Sequence, residues 1–256
     1  MAEHPEACAI LVPVAAAIEP ETEDCLRQLA DRGYPVRLLR GCSQVDLARS
    51  ALASAAMDDG FAETLWVDSD IVFDPADVEK LRAHGRPLTA GLYVKKGKPE
   101  FAGKFRNEGD AVFGRGGGLL EMEFVGMGFT HVRREVYERM ERRLRLPRCG
   151  GGYDPDRLVV PYFIPTVVPD GAGGWCYLSE DYSFCSRARQ VGFPAFADTT
   201  IRLGHGNGPH KYTWDDVAPR QTYESLRLRV DLPKTGRGRQ AVPATRPNTQ
   251  PEKVTA

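Results

Sequence analysis

The stretch Leu65-Trp66-Val67-Asp68-Ser69-Asp70-Ile71-Val72-Phe73 decides the fold. Together with Thr64 its first residues form an apolar run of strand length, which ends abruptly on two carboxylates and resumes as a second apolar run. Upstream, Cys8-Ala9-Ile10-Leu11-Val12 is continuously apolar and so reads as a strand buried on both faces. From Glu19 to Ala30, Cys25, Leu26 and Leu29 recur at helical spacing, and Gly33 and Pro35 supply the stop. Val36-Arg37-Leu38-Leu39 is a second strand, and Ser43 to Met57 is an alanine-rich helix that ends at Asp58-Asp59-Gly60. Strand, helix, strand, helix, strand is the opening of an α/β sheet with right-handed crossovers. Such sheets bind ligands beyond the carboxyl ends of their strands, where Asp68 and Asp70 stand.

Downstream the pattern is less regular. Residues 87–94 and 119–132 read as strands, Arg133 to Leu146 as a charged amphipathic helix and Ser179 to Val191 as the last helix; Phe193 to Phe196 and Thr200 to Leu203 read as the last strands. Glycine-rich stretches at 114–118, 149–152 and 171–174 mark long loops, a feature of functional lids or of disorder. From Asp231 onward there are prolines and basic residues but no aromatic, so the expected organisation is one domain over 1–230 and a disordered tail over 231–256.

Composition excludes several classes. With 34 Lys+Arg against 35 Asp+Glu in 256 residues there is no global field for a polyanion, which argues against a dedicated nucleic-acid module. Cys8, Cys25, Cys42, Cys149, Cys176 and Cys185 include no C-x-x-C pair, so they read as reduced thiols of a cytoplasmic protein. Ala7 to Ala17 is apolar, but Glu3 and Glu6 precede it where a signal peptide carries basic residues, and Pro13 interrupts it. No segment reaches the ~18 apolar residues of a membrane helix.

Two D-x-D patterns occur, at 68–70 and 154–156, where chance alone gives about one, so context has to separate them. Asp154-Pro155-Asp156 sits among glycines and reads as a turn. Asp68 and Asp70 end a central strand; two carboxylates at that range suit Mg²⁺ or Mn²⁺ bridging a nucleotide diphosphate, though a turn that caps the helix near Pro75 would also explain them. Ser179-Glu180-Asp181 reads as a helix start, with Ser179 as N-cap and two acids favoured by the macrodipole; after a glycine loop carrying Trp175, a carboxylate there could also deprotonate an acceptor. His205 follows the last expected strand, whereas His4, His84, His131 and His210 read as solvated loop residues. The run Lys95-Lys96-Gly97-Lys98, with Lys104 and Arg106, is a hairpin edge guarded by lysines or a phosphate contact.

Taken in order, residues 65–73, 125–140 (VGMGFTHVRREVYERM), 178–193 (LSEDYSFCSRARQVGF) and 201–207 (IRLGHGN) resemble the GT-A-fold nucleotide-sugar glycosyltransferases, specifically the family-two-like members of bacteria and phages. The resemblance runs to about residue 215. It implies a Rossmann-like α/β fold with a mixed central sheet flanked by helices. Asp70 and His205 would then serve a Mn²⁺ or Mg²⁺ ion, with Asp68 on ribose or metal-bound water; Asp181 would be the general base and Glu180 would orient the acceptor. It further implies that Pro13, Val14 and Ala15 cradle the nucleoside, that Arg49 contacts phosphate or base, and that Gly126 and Gly128 let the acceptor approach the backbone. The acidic residue such enzymes place after the second strand has no counterpart here other than Asp46.

The expected activity is hexosyl transfer from a nucleotide-diphosphate sugar to an acceptor hydroxyl, inverting because there is one base and no covalent nucleophile. Trp175, Tyr177 and Tyr153 could stack on the acceptor, whose class stays open among a glycan, a natural product, a peptide and a modified nucleobase. Two rivals stand: a sugar nucleotidyltransferase, which would want a glycine-rich phosphate loop after Val12, and a non-catalytic nucleotide-sugar-binding protein on the same scaffold.

Overall fold

The computed structural model describes residues 4–150, 154–218 and 224–232; the remainder of the expected tail and Tyr153 lie outside the described residues. The first part of the chain runs β1 (Cys8–Val14), α1 (Pro20–Asp31), β2 (Val36–Arg40), α2 (Val45–Asp58), β3 (Glu63–Val67), β4 (Ile71–Val72) and α3 (Ala76–Ala83). It continues with β5 (Leu88–Gly91), β6 (Gly103–Phe105), β7 (Gly109–Gly114), β8 (Leu119–Val125), β9 (Phe129–Arg133) and α4 (Arg134–Leu144). After these come β10 (Thr166–Pro169), β11 (Trp175–Leu178), α5 (Glu180–Gln190), β12 (Ala195–Asp198), β13 (Gly204–Asn207), β14 (His210–Tyr212) and β15 (Ser225–Val230).

Eight strands form one mixed sheet in the order β2-β1-β3-β9-β5-β12-β8-β6. β1 pairs in parallel with β2 and β3, and β12 with β5, whereas β9 is antiparallel to both β3 and β5. The alternation of side chains along a strand divides the core in two. Ala9, Leu11 and Trp66 point to one face, covered by Leu52 and Ala56 of α2, Tyr137 of α4 and Phe184 of α5; Ile10, Val12, Leu65 and Val67 point to the other, under Leu26 and Leu29 of α1 and Leu81 of α3. Among the described residues no helix is long and apolar enough to cross a membrane.

The first-half elements lie where the periodicity puts them; the second half differs. No strand forms at Thr200 to Leu203, because the Asp198 carboxylate accepts from the backbone N–H and the hydroxyl of Thr200 (2.8 and 2.6 Å) and turns the chain. The strand is β13 instead, so His205 lies within a strand, opposite Ile71 of β4. His131, expected in a solvated loop, is buried on β9 beside Glu63, and His84 pairs with Asp198 at 2.8 Å. The glycine-rich stretch 171–174 forms the tip of the β10–β11 hairpin, where Asp170 accepts from Ala172 and Gly174 at 2.8 Å each.

Candidate functional site

The turn that leaves β3 is tied down on three sides. Asp68 N–H donates to Gly128 O, Glu19 N–H to Ser69 O and Gly206 N–H to Asp70 O, at 3.0, 2.8 and 2.7 Å. These bonds set both carboxylates at the rim of a cavity of about 260 Å³. Pro13 and Ala15 enter it from the end of β1, Cys42, Ser43, Val45 and Arg49 from the start of α2, Tyr93 from beyond β5, Glu180 and Asp181 from the start of α5, and His205 from β13. A larger groove, about 560 Å³, opens between β2 and α2. Its charged groups, Arg37, Asp59, Arg157 and Asp154, are engaged in ion pairs with one another, which leaves the smaller cavity as the one with chemistry to offer.

Arg49 organises one half of the cavity. Only 2 % exposed, it donates from Nη2 to Asp68 Oδ1 at 2.8 Å and holds Nε 3.4 Å from Asp181 Oδ1, while its guanidinium lies over the Trp66 ring. Asp181 Oδ2 accepts the Met127 N–H at 3.1 Å. Burial pushes the Asp181 carboxyl up, Arg49 pulls it down and the charges of Glu180 and Asp68 push it up again, to about 7. Burial, Asp68 and Asp181 likewise raise the Tyr93 phenol.

The other half centres on Asp70, whose Oδ2 lies 2.5 Å from Lys96 Nζ and 3.5 Å from His205 Nε2. Burial raises the Asp70 carboxyl, but its bonds to His205 and Lys96 outweigh this and hold it below the usual range. His205 Nδ1 lies 2.7 Å from Val94 O, a backbone contact that turns the other ring nitrogen to the carboxylate. A carboxylate oxygen and an imidazole nitrogen facing each other are the two groups here that could ligate a divalent cation. Asp68 gives its Oδ1 to Arg49, and among the described residues no three His, Cys, Asp or Glu cluster closely enough to cage an ion.

Several expected roles find different surroundings. Val14 is fully buried in the core, since alternation along β1 sends it away from the cavity that Pro13 and Ala15 line. Gly126 and Gly128 face the Tyr93 ring, whose atoms would lie 2.4 and 2.7 Å from an added Cβ; the packing of an aromatic accounts for both glycines. Trp175 is 73 % exposed on β11 and does not line the cavity. Ser179 occupies the N-cap position of α5 but makes no side-chain cap bond. Lys104 lies over the Phe124 ring and Arg106 pairs with Glu121 and Glu123, so of the basic run it is Lys96 that reaches the site. Tyr93 is the cavity residue that the sequence reading leaves out, and Lys96 is the lysine of the basic run that the fold brings to Asp70.

No family model matches the chain, and no curated protein matches it. Among solved structures it is similar to A197 from STIV, with 16 % identity, a TM-score of 0.54 and coverage of 82 % of this chain and 91 % of that one. A glycosyltransferase involved in the glycosylation of the major capsid of PBCV-1 aligns over 51 % of this chain and 62 % of that one, at 12 % identity and a TM-score of 0.29. GalNAc-T7 with UDP, GalNAc and Mn²⁺ aligns over 78 % of this chain and 39 % of that one, at 12 % identity and a TM-score of 0.40. These scores put A197 within the range of a shared fold and the other two outside it.

Proposed function

We propose that this chain is a metal-dependent glycosyltransferase that moves a sugar from a nucleotide-diphosphate donor to an acceptor hydroxyl with inversion. The observation that carries the reading is the convergence of Asp68, Asp70, Glu180 and Asp181 on one cavity at the carboxyl ends of β1 and β3, with the Asp181 carboxyl raised to about 7. A carboxylate so tuned ionises near neutral pH yet keeps a strong pull on a proton, which is what deprotonation of a hydroxyl requires.

Asp181 takes the acceptor proton as the acceptor oxygen forms its bond to the anomeric carbon, and the bond from that carbon to the diphosphate oxygen breaks with its electron pair on the leaving group. Arg49 and Met127 N–H hold Asp181 in place for this step. Pro13 and Ala15 offer a wall for the nucleoside, and Glu180, at the rim, orients the acceptor. Asp70 and His205 would hold a divalent cation, which when bound supplies positive charge to the departing diphosphate.

The test is thermal unfolding against UDP, GDP, CDP and dTDP, each with and without Mn²⁺, for the native chain and Asp70→Asn. A ligand at ~100 times its Kd adds about 2.7 kcal/mol, several degrees for a domain of this size. A Mn²⁺-dependent rise with one nucleotide that disappears in Asp70→Asn is the expected result; no rise with any of them refutes the reading.

A further inference from the structure

The geometry points to Lys96 as a built-in competitor of the divalent cation for Asp70, so that the cation binds tightly only together with a diphosphate that accepts the displaced ammonium. This rests on the cation reading of Asp70 and His205 above and adds a residue that the resemblance does not supply. Lys96 belongs to a turn that has fastenings of its own besides the His205 contact at Val94 O. Lys95 N–H donates to Glu100 O at 2.8 Å, Ala102 N–H to Tyr93 O at 2.7 Å, and the Lys95 ammonium pairs with Glu100 at 2.9 Å. From that base the Lys96 side chain, 35 % exposed, reaches Asp70.

Its ammonium lies 2.5 Å from the same oxygen, Asp70 Oδ2, that faces His205 Nε2 at 3.5 Å. His205 Nδ1 lies 2.7 Å from a backbone carbonyl oxygen, which can only accept, so Nδ1 carries a proton and Nε2 is the ring nitrogen left to ligate a cation. Two side chains able to ligate a cation thus converge, with a positive charge already seated on one of them. A divalent ion bonded to both, at about 2.1 Å from each, needs them roughly 3 Å apart, close to the separation present. It would lie less than ~5 Å from Lys96 Nζ, and two cations at that range on one carboxylate oxygen repel strongly. One of them has to leave, and a lysine on a flexible stem is the one able to pivot. A diphosphate offers both new oxygen ligands for the ion and a new acceptor for the ammonium, which couples the two binding events.

Mn²⁺ titration of the nucleotide-free protein, followed by the electron paramagnetic resonance signal of the free ion, tests this in the native chain, Lys96→Met, Lys96→Arg and Asp70→Asn. Lys96→Met is expected to bind Mn²⁺ at least ~10-fold more tightly than the native chain, and Lys96→Arg about as weakly as it. UDP, GDP, CDP or dTDP, whichever binds, should narrow the gap. Mn²⁺ binding that Asp70→Asn abolishes but Lys96→Met leaves unchanged overturns the competition and keeps the cation reading. Equal tightening in Lys96→Met and Lys96→Arg overturns the charge argument. Absence of Mn²⁺ binding in all four proteins, or binding indifferent to Asp70→Asn, overturns the cation reading and this proposal with it.

Discussion

Replacing Asp181 with Asn should make the protein more stable at pH 8 while removing its base. A free Asp ionises near 3.9, whereas burial, opposed by Arg49 and reinforced by Glu180 and Asp68, carries the Asp181 carboxyl to about 7 in the fold. Between these values the folded chain holds a proton that the unfolded chain has lost, so stability is greatest below about pH 4 and falls as pH rises through 7. Three pH units at 1.36 kcal/mol each put the cost of the ionised carboxylate on the order of 4 kcal/mol. With the side chain 16 % exposed and Arg49 losing an attractive neighbour, a net gain of about 1–3 kcal/mol is the expectation for Asp181→Asn at pH 8. The amide oxygen can still accept the Met127 N–H, but the amide NH2 then faces Arg49 Nε, which is why the expected gain stays well below the full cost of the charge. Thermal melts of both proteins from pH 4 to 8 measure the effect: a lead of several degrees at pH 8 that shrinks to nothing near pH 4. A lead independent of pH, or a variant less stable than the native chain at pH 8, refutes the reasoning. Turnover, where a donor is known, should fall by ~10²–10⁴ in the same variant.

Glu63→Gln tests the opposite sign: burial raises this carboxyl, but bonds from His131 and Arg82 outweigh burial and hold it at about 2, so its contribution is present above about pH 4 and lost as pH falls through 2. Urea denaturation at pH 7 should show a loss of about 3 kcal/mol that narrows as acid is added. Trp175→Ala should leave the melting midpoint within the range of a surface change, about 0.5 kcal/mol, because the ring is exposed, while KM for an acceptor that stacks on it rises roughly 2–12-fold.

The first half of the fold is legible because its signals are local. A continuous apolar run and a helical period suffice for β1 to β3 with α1 and α2, and Asp68 and Asp70 follow from being the residues on which β3 stops. Asp181 is legible as the second acid of a helix start, but its partner is not: Arg49 and Asp181 stand 132 positions apart, and no period relates α2 to α5. The strand misplaced at 200–203 shows the same limit from the other side. Ile201 and Leu203 have the right residue types, yet they are buried against Gly91 while the Asp198 side chain bends the chain beneath them. Gly126 and Gly128 signal that something approaches the backbone closely, but not that it is the Tyr93 side chain from inside the fold. Lys96, one of three lysines in four residues, is separated from the others only by where its turn aims it.

The strand order has a consequence for the company the molecule keeps. A sheet that runs from β2 to β6 without closing offers backbone donors and acceptors at each end, and such ends invite a strand from another copy. β2 carries Arg37 and Arg40 among its five residues, and β6, with three residues, carries Lys104. Two like copies brought edge to edge would have to bury these cations against one another, so the pairing that the backbone would welcome is opposed by charge. Only Leu38, 41 % exposed between the two arginines of β2, works in the other direction. None of the three cations lines the cavity, so the charge that opposes edge pairing and the chemistry of the pocket are carried by separate residues and can change independently.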